Sequence, residues 1–162
     1  MAQHRQHDQP RAPTLRRRER GAAQHGIGRS RGGLSTKVHL IVDALGLPLT
    51  FEITEGQRHD NQRAQELAIR AKSSCLLGDK AYDSDAFRAA LAKQSCEPVI
   101  PSSGSRARKL PYDKERYKAR SEIECTFSLL KQGRRFATRY EKTLRNYSAV
   151  VAIGCALLWL RI

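Results

Sequence analysis

The sequence predicts an α/β fold, a mixed sheet with helices packed on it, preceded by a disordered basic N-terminus. Short apolar runs of strand length alternate with helix-length amphipathic stretches from residue 37 onward. A turn signal, Asp43-Ala44-Leu45-Gly46, joins two of those runs. Residues 1–33 are dense in Arg, Gln, His, Pro and Gly and show no hydrophobic period.

Lys37 to Val42 reads as a strand and Pro48 to Thr54 as its hairpin partner. In that partner Thr50, Glu52 and Thr54 alternate with Leu49, Phe51 and Ile53, giving one wet and one dry face. A polar loop, Glu55 to His59, leads to Asp60 or Asn61, either of which caps a helix through about Lys72. Cys75-Leu76-Leu77-Gly78 fits a short buried strand that stops at Asp79. Ser84 or Asp85 caps a second helix with Phe87, Ala90 and Leu91 on its inner face. Glu97 to Pro101 is a brief strand whose prolines put it at a sheet edge. Beyond a basic loop, Ser102 to Lys109, one helix is predicted from Lys114 to about Phe136. A final buried helix runs from about Leu144 to Leu160. Order is expected to begin at Thr36.

The 162-residue chain carries a net charge of +14, a field that attracts polyanions. Residues 1–37 hold nine Lys/Arg against two Asp/Glu, residues 38–100 seven against nine, and residues 101–145 thirteen against five. A mildly acidic body between basic flanks suggests phosphate-binding segments on either side. It argues against a ribosomal-type RNA binder, whose charge would be spread evenly. Cys75, Cys96, Cys125 and Cys155 form no CxxC pair, which speaks against zinc and for reduced thiols in a cytoplasmic protein. Met1 to Arg20 lacks the apolar centre of a signal peptide. The most apolar stretch, Ala149 to Leu160, is about half the length of a membrane span.

Two features bear on chemistry. Asp79 stands where an apolar strand ends, the place where α/β sheets gather ligands, although a carboxylate there also serves as a cap for the next turn. Tyr117, Arg120, Glu124 and Lys131 follow at spacings of 3, 4 and 7, which on one helix places them within an arc of roughly 60°. Ile123, Phe127 and Leu130 form the adjoining apolar stripe, so Glu124 lies at the border between buried and exposed sides. Spacing alone leaves a solvated charged face as the alternative.

The run Tyr117, Arg120, Glu124, Lys131 resembles the signature around the catalytic Glu of DDE transposases of bacterial insertion sequences, in the insertion sequence four/five group. Gly28 to Lys37 is similar to the segment entering that family's second strand, and Gly56-Gln57-Arg58-His59-Asp60 to its loop after the third. Gly78-Asp79-Lys80-Ala81-Tyr82-Asp83 resembles the segment with the second catalytic Asp, and the tail from Arg134 to Arg161 also agrees. The resemblance implies a ribonuclease-H-like core, DNA as partner, and DNA recombination by phosphodiester hydrolysis and strand transfer. Three carboxylates would hold two Mg²⁺ ions, Asp79 and Glu124 being two of them. Arg120, Lys131 and Tyr117 would position the DNA strand, and Arg106, Arg108 and Lys109 would grip its backbone.

The core so implied is incomplete. The family's first catalytic Asp belongs on an earlier strand, and near that point the chain reads His4, Arg5 and Gln6. Asp8 lies in a polar segment ending at Pro10 and Asp43 at a hairpin turn, so neither takes the role. Reading the codons one nucleotide later permits Trp-Leu-Asn-Ile-Asp-Ser-Thr-Ile, whose Asp spans the codons of Arg5 and Gln6, similar to the family's first strand. An out-of-frame start, weak Mg²⁺ binding, an unpaired sheet edge and little strand transfer by the chain alone are therefore expected. The chain would then be a decayed copy or would act with an upstream transposase fragment or another copy of itself. The alternative is a nonenzymatic basic DNA- or RNA-binding fragment that modulates transposition.

Overall fold

The computed structural model describes residues 2–10, 25–30, 33–56 and 60–161. Six strands form one sheet: β1 (Ala2–Pro10), β2 (Gly28–Ser30), β3 (Gly33–Val42), β4 (Pro48–Glu55), β5 (Cys75–Leu77) and β6 (Glu97–Val99). β1 is central. It runs antiparallel to β3, from Gln3 opposite Val42 to Pro10 opposite Ser35, and parallel to β5, with Gln3 beside Leu77. β6 extends the parallel side, while β2 and β4 both pair with the far edge of β3.

Period-two alternation in β3 divides the core between two faces. Val38, Leu40 and Val42 join Ile123, Phe127, Tyr147 and Val151 on one side. Ile41 joins Leu67, Phe87 and Leu91 on the other. Each such side chain, fully buried, contributes about 1.5–3 kcal/mol. The second face is covered by α1 (Asp60–Ala71) and α2 (Asp85–Lys93), the latter capped by the Ser84 hydroxyl accepting from the Phe87 N–H at 3.2 Å. The first face is covered by α3 (Lys114–Lys118), α4 (Ser121–Lys131), α5 (Arg134–Ala137) and α6 (Leu144–Trp159). The hairpin between β3 and β4 closes as the turn signal requires. Asp43 Oδ1 accepts from the Leu45 and Leu47 N–H groups, and Gly46 takes φ +80, which glycine adopts without strain.

Three expectations are corrected. Order does not wait until Thr36: Ala2–Pro10 fills the central slot that the sequence leaves without a strand. Strand pairing uses backbone groups that every residue but proline supplies in full, so a segment with no hydrophobic period still satisfies the edges of β3 and β5. Residues 11–24 and 31–32, the remainder of the segment read as disordered, lie outside the described residues. The helix from Lys114 to Phe136 is broken twice. Tyr117 and Ala119 pack with Tyr112 against Cys75, Leu77 and Val99, whereas Ile123, Phe127 and Leu130 pack toward β3, so the chain redirects between them. It does so through i→i+3 bonds at Ala119 and Arg120, and Gly133 in an extended conformation ends α4. Finally, α6 is buried on one side only, with Ile153, Leu157 and Leu160 more than half exposed.

Cys75, Cys96 and Cys155 are buried and Cys125 is exposed, all as free thiols. Among the described residues no helix is long and apolar enough to cross a membrane.

Candidate functional site

β5 ends at Leu77, and the chain continues through Gly78 and an extended Asp79 into a 3-10 turn, Lys80–Tyr82. Asp79 Oδ1 accepts from the Lys80 N–H at 2.6 Å, so the capping role is real. That bond fixes the carboxylate at the carboxyl end of a parallel strand.

Across the first face, Arg120 donates to Glu124 Oε1 at 2.9 Å over one turn of α4. The Arg120 guanidinium also lies over the Tyr117 ring at 5.7 Å. The Glu124 side chain is 43 % exposed, so the pair with Arg120 is worth less than about 1 kcal/mol. It orients the carboxylate more than it stabilises the fold. The Tyr117 hydroxyl has its pKa raised, first by burial; Arg120 opposes this, while Asp79, Tyr112 and Glu124 reinforce it. Tyr117 also packs against Cys75, Leu77 and Val99, so the Arg120 over its ring connects Glu124 of α4 to the end of β5. Among the described residues no group of three His, Cys, Asp or Glu side chains is placed to hold a metal ion.

The sheet register locates a third position. Gln3 stands beside Leu77, the last residue of β5, so strand position 5 lies two residues past that pairing, on the side to which Asp79 follows β5. The same position pairs with Leu40, whose side chain lies in the cluster that α4 covers.

Behind Asp79, the fully buried Asp83 carboxylate binds three donors. Arg88 Nε donates at 2.8 Å, the Ser103 N–H at 2.7 Å and Arg106 Nε at 2.9 Å, with Arg106 Nη2 also bridging to Asp85 at 2.7 Å. Burial pushes the Asp83 pKa up, but the bonds from Arg106, Ser103 and Arg88 outweigh it and hold the carboxyl well below its usual range. Arg106, expected to grip DNA, anchors its own loop through these bonds. Lys109 Nζ donates to the Ser103 and Gly104 carbonyls at 2.6 and 3.2 Å, while Arg108 and Lys131 are exposed.

Asp83 was not singled out as a separate site by its sequence position, because its partners come from α2 and the following loop. Arg139 was missed for the same reason. Fully buried, it donates to the Gly26 carbonyl and the Glu141 carbonyl, both at 3.1 Å, and to the Thr36 hydroxyl and the His25 carbonyl, and lies 4.8 Å over the Tyr147 ring. It joins the 25–36 segment to the end of the chain.

Residues 3–159 match the family model described as the transposase DDE domain. A transposase for insertion sequence element IS6501 from Brucella ovis is 38 % identical over 130 residues, 79 % of this chain and 100 % of that protein. A transposase for insertion sequence element IS402 from Burkholderia cepacia is 28 % identical over 135 residues, 76 % of this chain and 62 % of that protein. The family match begins within β1 and continues through α6.

Proposed function

The chain belongs to the DDE transposases of insertion sequences, and on that premise we propose that its sheet is a ribonuclease-H-like core serving DNA cleavage and strand transfer. The strand order supports this: β1, β5 and β6 run parallel, with β3 antiparallel to β1 on its other side and β4 antiparallel to β3. The observation that supports the site is that Tyr117 packs against the end of β5, just before Asp79, and carries Arg120, the partner of Glu124, over its ring. Arg120 keeps Glu124 oriented; Lys131, exposed two turns further on, and Arg108 with Lys109 are the groups assigned to DNA phosphates. Arg106 contributes by holding that loop through Asp83. The work would be done in the cytoplasm.

Asp79 and Glu124 would hold Mg²⁺, and two carboxylates are fewer than a pair of such ions requires. Bound Mg²⁺ would polarise the scissile phosphate and activate the attacking hydroxyl. A third carboxylate is missing at strand position 5, where this chain has Arg5. The polarity of β1 is a second sign. A central strand with helices against it is ordinarily apolar, whereas Gln3 to Gln9 contains no apolar residue. Both signs support an out-of-frame start and low activity of the chain by itself. They also favour a second reading, a nonenzymatic DNA-binding fragment that modulates transposition.

The decisive experiment replaces the start of the chain, residues 1–8, with the shifted-frame peptide Trp-Leu-Asn-Ile-Asp-Ser-Thr-Ile. The chimera is expected to melt higher and to nick DNA in Mg²⁺, with nicking abolished by Glu124→Gln or Asp79→Asn. A chimera that folds and binds DNA without nicking favours the second reading. Strand transfer by the unmodified chain at rates equal to the chimera refutes the requirement for a third carboxylate. Sequencing the gene checks the frame directly: the idea fails if no Asp codon spans the codons of Arg5 and Gln6.

A further inference from the structure

We propose that Tyr112 is a positioning residue for Arg120 and Glu124: its ring staples the start of α3 and holds Tyr117 in place at the helix break that the site straddles. This role rests on Arg120 and Glu124 being site residues, as proposed. Tyr117 belongs to α3, Glu124 belongs to α4, and Arg120 stands at the junction. The chain crosses that junction on i→i+3 bonds, from the Ala119 N–H to the Arg116 carbonyl and from the Arg120 N–H to the Tyr117 carbonyl. Such a stretch within a helical run is a place where helices hinge. Contacts outside the junction must therefore fix the direction of α3, or Tyr117 and Arg120 lose their alignment with Glu124.

Place in the helix identifies Tyr112 as that contact. Asp113 caps α3, its Oδ1 accepting from the Glu115 and Arg116 N–H groups at 2.9 and 3.0 Å. Tyr112 immediately precedes this cap, and Tyr117 is the fourth residue after it. Side chains with apolar bodies at those two places meet across the first turn and set the angle at which the chain enters the helix. Here the two rings lie 5.5 Å apart with their planes at 78°, an edge-to-face contact. Both rest on Cys75, Leu77 and Val99, which anchors the staple to β5 and β6. The Tyr117 ring in turn lies under the Arg120 guanidinium at 5.7 Å, and Arg120 donates to Glu124 Oε1 at 2.9 Å. Tyr112, Tyr117, Arg120 and Glu124 thus form a continuous series of contacts from the sheet to the carboxylate.

The remaining side-chain tie from α3 to the sheet is weaker. Arg116 donates to Glu97 at 2.7 Å, but both side chains are more than half exposed, and solvated ion pairs hold geometry poorly. The Arg120–Glu124 pair is itself partly solvated, so it depends on the ring beneath Arg120. Tyr112 also lies two residues beyond Leu110, whose N–H donates to Ser102 Oγ at 2.8 Å and closes the basic loop. The staple therefore joins the loop of Arg108 and Lys109 to the helix of Glu124.

The test is NMR of the full chain with isotope-labelled arginine, the Arg120 guanidinium signals being assigned by their loss in Arg120→Gln. In the parent chain these signals should carry a ring-current shift from Tyr117. Tyr112→Phe keeps the ring and should preserve the shift, whereas Tyr112→Leu should lose most of it. Tyr112→Met supplies a second ringless variant if Tyr112→Leu melts too low for study. A residue that only stabilises the fold would lower the melting temperature and leave the shift in place. Affinity for a mixed-sequence DNA duplex should fall about threefold in Tyr112→Leu, and should not respond to that change in an Arg120→Gln background. An Arg120 shift equal in all variants overturns the proposal, as does its loss in Tyr112→Phe. So does a Tyr112→Leu effect on DNA binding that is the same with and without Arg120, or absent while Arg120→Gln weakens binding. If Arg120→Gln itself leaves DNA affinity unchanged, the assignment of Arg120 to DNA fails, and the Arg120 shift alone decides the staple.

Discussion

Arg106 donates to both carboxylate oxygens of Asp83, at 2.9 and 3.1 Å, and so ties the basic loop to the turn that follows Asp79. The loop and the carboxylate are therefore mechanically coupled. Asp83→Asn leaves Arg88 and Arg106 without their counter-charge in a partly buried setting, and should cost about 3 kcal/mol. Urea denaturation measures the loss. Proteolysis within residues 102–110 should accelerate in the same variant.

The sign of the acid response follows from the same group. The Asp83 pKa in the fold lies below the ordinary value of about 3.9, so its stabilisation is complete above about pH 4. It is lost as pH falls from there through the folded value. Melting temperature followed downward from pH 5 should drop less steeply in Asp83→Asn than in the parent chain.

Arg139→Lys tests the buried clasp on the 25–36 segment. A single ammonium cannot reproduce a planar fork bonded to three carbonyls and a hydroxyl, nor its stacking on Tyr147. A loss of about 2–3 kcal/mol is expected in denaturation, from acceptors left buried without donors. An unchanged midpoint would show that the segment is held by other contacts.

Thiol reactivity separates Cys125 from the rest. Burial raises the pKa of Cys75, Cys96 and Cys155, the last to about 11. In the native protein at neutral pH, a thiol-reactive dye should label one cysteine per chain rapidly, at Cys125 by peptide mapping, and the other three only on unfolding.

Arg120→Gln and Lys131→Gln address the side proposed to bind DNA. Both residues are at least partly solvated, so stability should change by less than about 1 kcal/mol. DNA affinity should fall for each, and the slope of log affinity against log salt should become shallower by about one. Undiminished binding would remove these two residues from the interface.

Most elements were legible in the sequence because local signals and burial agreed. Ser84 before Phe87 gave a helix start, Asp43 to Gly46 gave a turn, and the alternation through Leu49–Thr54 gave a strand. The same spacing overextended the helix after Lys114, since Tyr117 and Ile123 both satisfy a helical period while packing into different parts of the core. Tyr117, Arg120 and Glu124 still meet, because the residues at the break keep helical dihedrals.

By itself the sequence determined the family and the basic flanks, and it put forward Asp79 and Glu124 as the family's carboxylates. These rest on residue identity and short-range spacing, which a linear chain carries in full. Tertiary structure alone decided that Ala2–Pro10 occupies the centre of the sheet, that Gln3 pairs beside Leu77 at the end of β5, and that Arg106 is bound by Asp83. Those facts depend on pairings between distant segments. A backbone slot between β3 and β5 accepts a strand for its hydrogen bonds whatever its side chains, so composition could not announce it.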